Sequence, residues 1–168
     1  MTFWEAAIHY LLRAAVVGVA LLFAGIPLPR RIFHADRFPF KSYPFEKDGR
    51  IYQLIQVHKW KDLVPDASRI LKMMTKKRLS QKADAKALER LIQETCVAEI
   101  VHWMIYLFIP VYSIGIPFGY ALVMSLLYIA GNMVFIVIQR YNRPRFQRAL
   151  ELYIARENRR NAVKEKNQ

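Results

Sequence analysis

CVAEIVHWMIYLFIPVY, residues 96–112, is followed after a short turn from Ser113 to Pro117 by FGYALVMSLLYIAGNMVFIVI, residues 118–138. Two apolar runs joined by a turn that holds Gly115 and Pro117 read as a helical hairpin in a membrane. About 20 helical residues, rising about 1.5 Å each, cross a hydrocarbon core of about 30 Å. A further apolar block opens the chain, from Ala6 through Ala24 to a stop at Pro27 and Pro29. The basic start of a cleaved signal peptide is missing there, because Glu5 precedes the block and Arg13 lies inside it. The block therefore reads as a retained helix. The sequence predicts an all-α membrane protein with about three transmembrane helices, approximately residues 6–26, 96–113 and 117–138, in a single membrane-embedded domain over residues 1–168.

Twenty-six Lys and Arg against thirteen acids give this 168-residue chain a net charge of +13, although 54% of its residues are hydrophobic. Such a balance suits nucleic acid or an anionic membrane surface, and the distribution of the charge separates the two. The apolar residues gather in the three blocks and the charge lies between and after them, which points to membrane lipids as partners and away from nucleic acid. Arg30 and Arg31 open the region 30–95 and Arg140 opens the tail 140–168, whereas the turn at 112–118 is uncharged. The positive-inside rule then predicts a multi-pass protein of the bacterial cell membrane, its basic loop and tail cytoplasmic. Residues 37–61 alternate aromatic and basic side chains, as suits an interface, and 67–94 read as an amphipathic helix or a solvated basic face. The tail from Phe146 keeps a helical pattern but loses its apolar positions and is expected to fray. Cys96 stands alone, so neither a disulfide framework nor a cysteine metal site is available, and it reads as packing.

Polar groups inside the spans are where chemistry is sought, since a charge at the bilayer centre costs at least about 2.5–3.5 kcal/mol. At about 100° per residue Thr95, Glu99 and His102 share one helical stripe, with Glu99 and His102 adjacent. They either satisfy each other and tie helices together or act on a substrate. Ser125, Asn132 and Gln139 recur every seven residues and line one face of the last span. Counting from the cytoplasmic ends sets Asn132 at the depth of His102, as interhelical glue or as a donor to His102 or to substrate. At the membrane exit QRYNRPR, residues 139–145, gathers Arg140, Asn142, Arg143 and Arg145, with Pro144 expected to break the helix. Guanidiniums there bind phosphate through a bidentate fork or form a basic collar against anionic lipid. Trp60 and Lys61 offer an aromatic platform beside a cation, or an interfacial anchor. Glu5, His9 and Arg13 read as an i,i+4 surface set. No Gly-rich phosphate loop, His-rich metal cluster or Ser nucleophile motif is present, and no metal is expected.

Phe40-Lys41-Ser42 with Phe45-Glu46-Lys47, Lys59-Trp60-Lys61, Ala98-Glu99 with His102-Trp103, and Gln139 through Arg145 together resemble the glycosyl-4,4'-diaponeurosporenoate acyltransferase family. The resemblance implies a membrane acyltransferase that esterifies a sugar hydroxyl, the C6 hydroxyl of the glucose on a glycosylated carotenoid acid or a related glycolipid. It implies an activated fatty-acyl donor, a coenzyme A or acyl carrier protein thioester, as co-substrate, with no bound cofactor. Acyl transfer to an alcohol needs a base, oxyanion stabilisation and a place for the donor. From that chemistry His102 is the expected base, with Glu99 fixing its tautomer. Arg140, Asn142, Arg143 and Arg145 are expected to hold phosphates or sugar, and Trp60, Lys61 and Trp103 to line a groove. The His-x4-Asp acyltransferase arrangement is absent, because Leu107 stands where the acid belongs. The rival readings are another membrane lipid transferase, such as a methyltransferase, and a non-enzymatic scaffold for anionic lipid.

Overall fold

A computed structural model describes residues 1–64 and 84–166, and all regular structure among them is helical. Among the described residues six α-helices follow in order: α1 Phe3–Gly25, α2 Ile51–Leu54, α3 Val57–Trp60, α4 Ala85–Leu107, α5 Ile109–Tyr112 and α6 Phe118–Lys166. Single 3-10 turns lie at Arg30–Ile32 and Pro44–Glu46. Of the amphipathic segment expected over 67–94, residues 85–94 form the first turns of α4, and 65–83 lie outside the described residues. Asp84 starts α4 by accepting the Ala87 N–H at 2.8 Å, which satisfies one of the orphan donors of a helix N-terminus.

The chain packs as two compact units, Met1–Pro29 with Val97–Val137, and Arg30–Cys96 with Ile138–Gln168. In the first, α1 begins with a capping box: Thr2 Oγ1 accepts from Glu5 N at 3.3 Å, and Glu5 Oε2 accepts from Thr2 N at 2.8 Å. One stripe of α1, Ala6, Tyr10 and Ala14 at i,i+4 spacing, packs with Tyr112 and Met124 into a buried core. The small alanines allow close approach, and the Tyr10, Tyr112 and Tyr128 rings meet edge to face at 5.5–6.0 Å. Tyr10 donates to Ser125 Oγ at 3.1 Å, so its hydroxyl is not left unsatisfied in an apolar setting. At Gly25 an added Cβ would lie 3.0 Å from Val101 Cγ2, so the close approach of α1 to α4 depends on glycine.

The rest of α1 presents Ile8, Leu11, Leu12, Val16, Val19 and Phe23 outward, and α6 presents Leu122, Val123, Leu126 and Leu127. Such apolar surface is costly in water and neutral in lipid. Of the three expected spans, α1 and α6 are long and apolar enough to cross a membrane by themselves. The middle one is the apolar half of α4, interrupted by Glu99 and His102, with α5 completing it after a break at Phe108. Arg13 departs from the expected surface set. It donates to the carbonyls of Tyr112, at 3.1 Å, and Ile114, satisfying the end of α5 while its charge gains two acceptors.

In the second unit Leu91, Ile92 and Phe146 form the core, with Ala35 and Leu150 against it. Arg30 pairs with the buried carboxylate of Glu94 through two nitrogens, at 3.1 and 3.2 Å. Contrary to expectation, Pro144 does not break the helix, and α6 continues through it to Lys166. Proline removes the N–H that would bond the Arg140 carbonyl. Gly49, at φ +84°, comes so close there that a Cβ would sit 3.1 Å from Pro144 Cγ and 3.7 Å from the Arg140 oxygen. A left-handed, side-chain-free residue is thus what the loop needs to seat against the proline turn. The tail, expected to fray, remains helical as far as Lys166.

Candidate active site

His102 lies on α4 in the first unit, facing Asn132 on α6. Asn132 Nδ2 donates to the His102 backbone carbonyl at 2.9 Å. A carbonyl only accepts, so that bond fixes which end of the amide is which. The remaining Oδ1 then faces His102 Nδ1 at 2.7 Å, and because Oδ1 can only accept, Nδ1 carries the proton. In the neutral ring Nε2 is left with the lone pair. The imidazole also stacks on Phe135, centroids 4.9 Å apart and planes at 14°. One hydrogen bond to the ring, from an amide anchored on the backbone carbonyl, and a stacking face hold the imidazole in one orientation and one tautomer. Glu99, one turn earlier, is fully buried and accepts from the Trp103 indole N–H at 3.4 Å. Trp103 itself is part exposed and lies edge-on to Tyr106.

A second polar cluster lies within the other unit and is built on arginines. Arg140 Nη1 meets both oxygens of buried Glu46, at 3.0 and 2.9 Å, and Nη2 donates to the Pro39 carbonyl at 2.7 Å. Glu46 also accepts from Tyr43 N at 2.6 Å and from the Tyr52 hydroxyl. Arg143, only 2% exposed, donates from Nε to Thr95 Oγ1 at 2.9 Å, from Nη2 to Thr95 O at 3.2 Å and from Nη1 to Phe40 O at 2.6 Å. Among the described residues no group of three or more His, Cys, Asp or Glu stands ready to hold a metal.

Residues 29–152 match the family model of glycosyl-4,4'-diaponeurosporenoate acyltransferase. The chain belongs to the glycosyl-4,4'-diaponeurosporenoate acyltransferase family. The match covers most of the chain, and membership makes the protein an enzyme of acyl transfer, which sets aside methyl transfer and scaffolding. It is similar to glycosyl-4,4'-diaponeurosporenoate acyltransferases of Staphylococcus aureus strains bovine RF122 / ET3-1, MRSA252 and USA300. Each is 28% identical over 144 residues, covering 82% of this chain and 83% of the relative. No solved structure matches.

Within this acyltransferase the expected site residues fall into two groups. Glu99, His102, Trp103 and Asn132 lie in the first unit, and Trp60, Lys61, Arg140, Asn142, Arg143 and Arg145 in the second. The register that set Asn132 at the depth of His102 corresponds to the two hydrogen bonds between them. At Nδ1 the tautomer-setting contact expected of Glu99 is made by Asn132. Arg140 and Arg143 are engaged inside the chain, Arg145 donates to the Tyr141 hydroxyl at 3.0 Å, and Asn142 is buried. Trp60 donates to the Ile55 carbonyl at 2.8 Å, and Lys61 pairs with Asp62 at 3.1 Å. Sequence reasoning quoted Glu46 without giving it a role. It is one of only two acids among the aromatic and basic side chains of 37–50, and the other, Asp48, is exposed, so composition alone does not mark the buried partner.

Proposed function

We propose that this acyltransferase esterifies a sugar hydroxyl of a glycosylated carotenoid acid, or a closely related glycolipid, with a fatty-acyl group from a thioester donor. The observation that carries the reading is the clamped imidazole, His102 held at Nδ1 by Asn132, which puts the neutral ring's basic lone pair on Nε2. Its family supplies the reaction class, and the names of its relatives supply the acceptor.

In the proposed step the sugar hydroxyl gives its proton to His102 Nε2 as its oxygen attacks the thioester carbonyl. The ester C–O bond forms, the C–S bond breaks, and the imidazolium returns the proton to the leaving thiolate. Asn132 keeps the ring in the productive tautomer throughout, and Glu99, buried one turn away, stabilises the transient positive charge. Within the first unit Trp103 lines the acyl or sugar groove, and within the second Trp60, Lys61, Asn142 and Arg145 are the proposed contacts to donor or sugar. Arg140 and Arg143 act as internal braces, since their nitrogens already serve Glu46, Pro39, Thr95 and Phe40. The reaction takes place in the bacterial cell membrane, with the basic loop and tail on the cytoplasmic side, where thioester donors are found. An Arg145→Cys protein in intact cells is expected to resist an impermeant thiol reagent until the membrane is opened, and labelling from outside contradicts this orientation.

Vesicle-reconstituted protein, given a glycosyl-carotenoid and a radiolabelled palmitoyl thioester, is expected to yield a labelled, alkali-labile glycolipid. Label that stays on the donor with every thioester offered contradicts the reading. Asn132→Ala frees the imidazole to populate both tautomers and to rotate. It is expected to lower kcat about ten- to a hundredfold, with the donor KM within about twofold. A purely structural Asn132 would instead reduce the amount of folded protein while leaving the kcat of that fraction unchanged.

A further inference from the structure

Beside the buried Glu46–Arg140 pair the loop of the second unit forms an open pocket of about 390 Å³, to which Phe38, Lys41, Ser42, Tyr43, Lys47 and Asp48 contribute. None of these was singled out for binding by the sequence. The volume lies at the lower end of the range of about 300–1,000 Å³ for small-molecule sites. Lys41 and Lys47 are exposed and form no ion pair among the described residues, although both reach the same cavity. Asp48 is the only acid among the described lining residues, so two ammoniums face one carboxylate there.

The wall behind them is fixed before any ligand arrives. Tyr43 stacks on Phe45, with ring centroids 5.7 Å apart and planes at 10°, and the Arg140 guanidinium lies 4.5 Å from the Tyr43 centroid. Glu46 ties the Tyr43 N–H and the Tyr52 hydroxyl into the same network. Lys47 and Asp48 are both left-handed, at φ 47° and 53°, and Gly49 seats against Pro144. The loop therefore presents its two lysines from a preorganised turn, and ordering cost on binding falls mainly on the lysine stems.

We propose that this cavity binds a phosphate ester, with Lys41 and Lys47 as its cations and the Ser42 hydroxyl as a neutral donor. Ammoniums on flexible stems suit the several oxygens of a phosphate, where a planar carboxylate favours the guanidinium fork. Arg140 and Arg143, on the adjoining stretch of α6, have their forks committed inside the chain. Two sources carry the same chemistry: the phosphopantetheine arm of an acyl thioester, and the headgroup of an anionic phospholipid. Only the first assignment rests on the acyl-transfer reading.

The test is binding to the full chain in phosphatidylcholine nanodiscs, with pantetheine 4'-phosphate, pantetheine and spin-labelled phosphatidylglycerol as probes. Lys41→Gln with Lys47→Gln removes both charges at exposed positions, and Arg50→Gln with Lys86→Gln is the charge-matched control. The lysine pair is expected to bind pantetheine 4'-phosphate at least about tenfold more weakly than wild type, with pantetheine unaffected and the control unchanged. If phosphatidylglycerol association falls and pantetheine 4'-phosphate binding does not, the phosphate ester is a lipid headgroup and the site stands. If neither probe responds to loss of the two lysines, the proposal is overturned. Both readouts are independent of turnover, so wild type that binds a probe yet transfers no acyl group refutes the proposed reaction and leaves this site intact.

Discussion

His102→Ala is expected to lower acyl transfer about 10²- to 10⁴-fold in reconstituted protein, with membrane insertion retained and thermal stability lowered only modestly. The size follows from removal of a general base. The hydroxyl must then lose its proton to water, because the imidazole that Asn132 and Phe135 hold in place is gone. Stability is expected to fall by about 1–3 kcal/mol, because buried Asn132 Oδ1 loses its partner while the other bond to residue 102 survives. The bond from Nδ2 goes to the backbone carbonyl, which alanine retains. Turnover of the inserted protein, measured per mole after size-exclusion chromatography, checks this. A fall in turnover that only tracks the loss of folded protein would make His102 a structural tie.

Glu46→Ala is expected to destabilise the second unit by about 3–5 kcal/mol, because it leaves the Arg140 charge buried without its carboxylate. For a chain of this size that corresponds to a drop in Tm of about 10 °C in detergent, read by intrinsic fluorescence. The Tyr43 N–H and the Tyr52 hydroxyl lose an acceptor as well. Combining Glu46→Leu with Arg140→Met is expected to recover part of the loss, since a buried ion pair replaced on both sides by apolar groups is often near neutral. A Glu46→Ala protein with unchanged Tm would show that Arg140 is solvated and would remove its assignment as an internal brace.

The helical membrane fold was legible in the sequence because apolar length and charge distribution are local quantities. The seven-residue spacing of Ser125 and Asn132 likewise marked one face of α6, where Ser125 meets Tyr10 and Asn132 meets His102. What remained hidden depends on contacts between distant segments. The partners of the arginines, Glu46, Pro39, Phe40 and Thr95, lie some 48–103 residues away along the chain, so a run of cations looked available when it was already satisfied. Pro144 was read as a helix breaker from its lost N–H alone. The close approach of Gly49 to that turn, which lets the loop pack against it, has no local signature. Arg13 looked like a surface charge because nothing in its neighbourhood shows that the end of α5 supplies two carbonyls.

The most direct measurement is intact-lipid mass spectrometry of glycosyl-carotenoid-producing cells that express the wild-type chain, His102→Ala at matched membrane levels, or neither. The account predicts that wild type adds a fatty-acyl mass to the glycolipid, that fragmentation places it on the sugar, and that the His102→Ala cells resemble the control. Wild-type cells whose glycolipids gain no acyl group would contradict the proposed reaction, and full acylation by His102→Ala would contradict the proposed base.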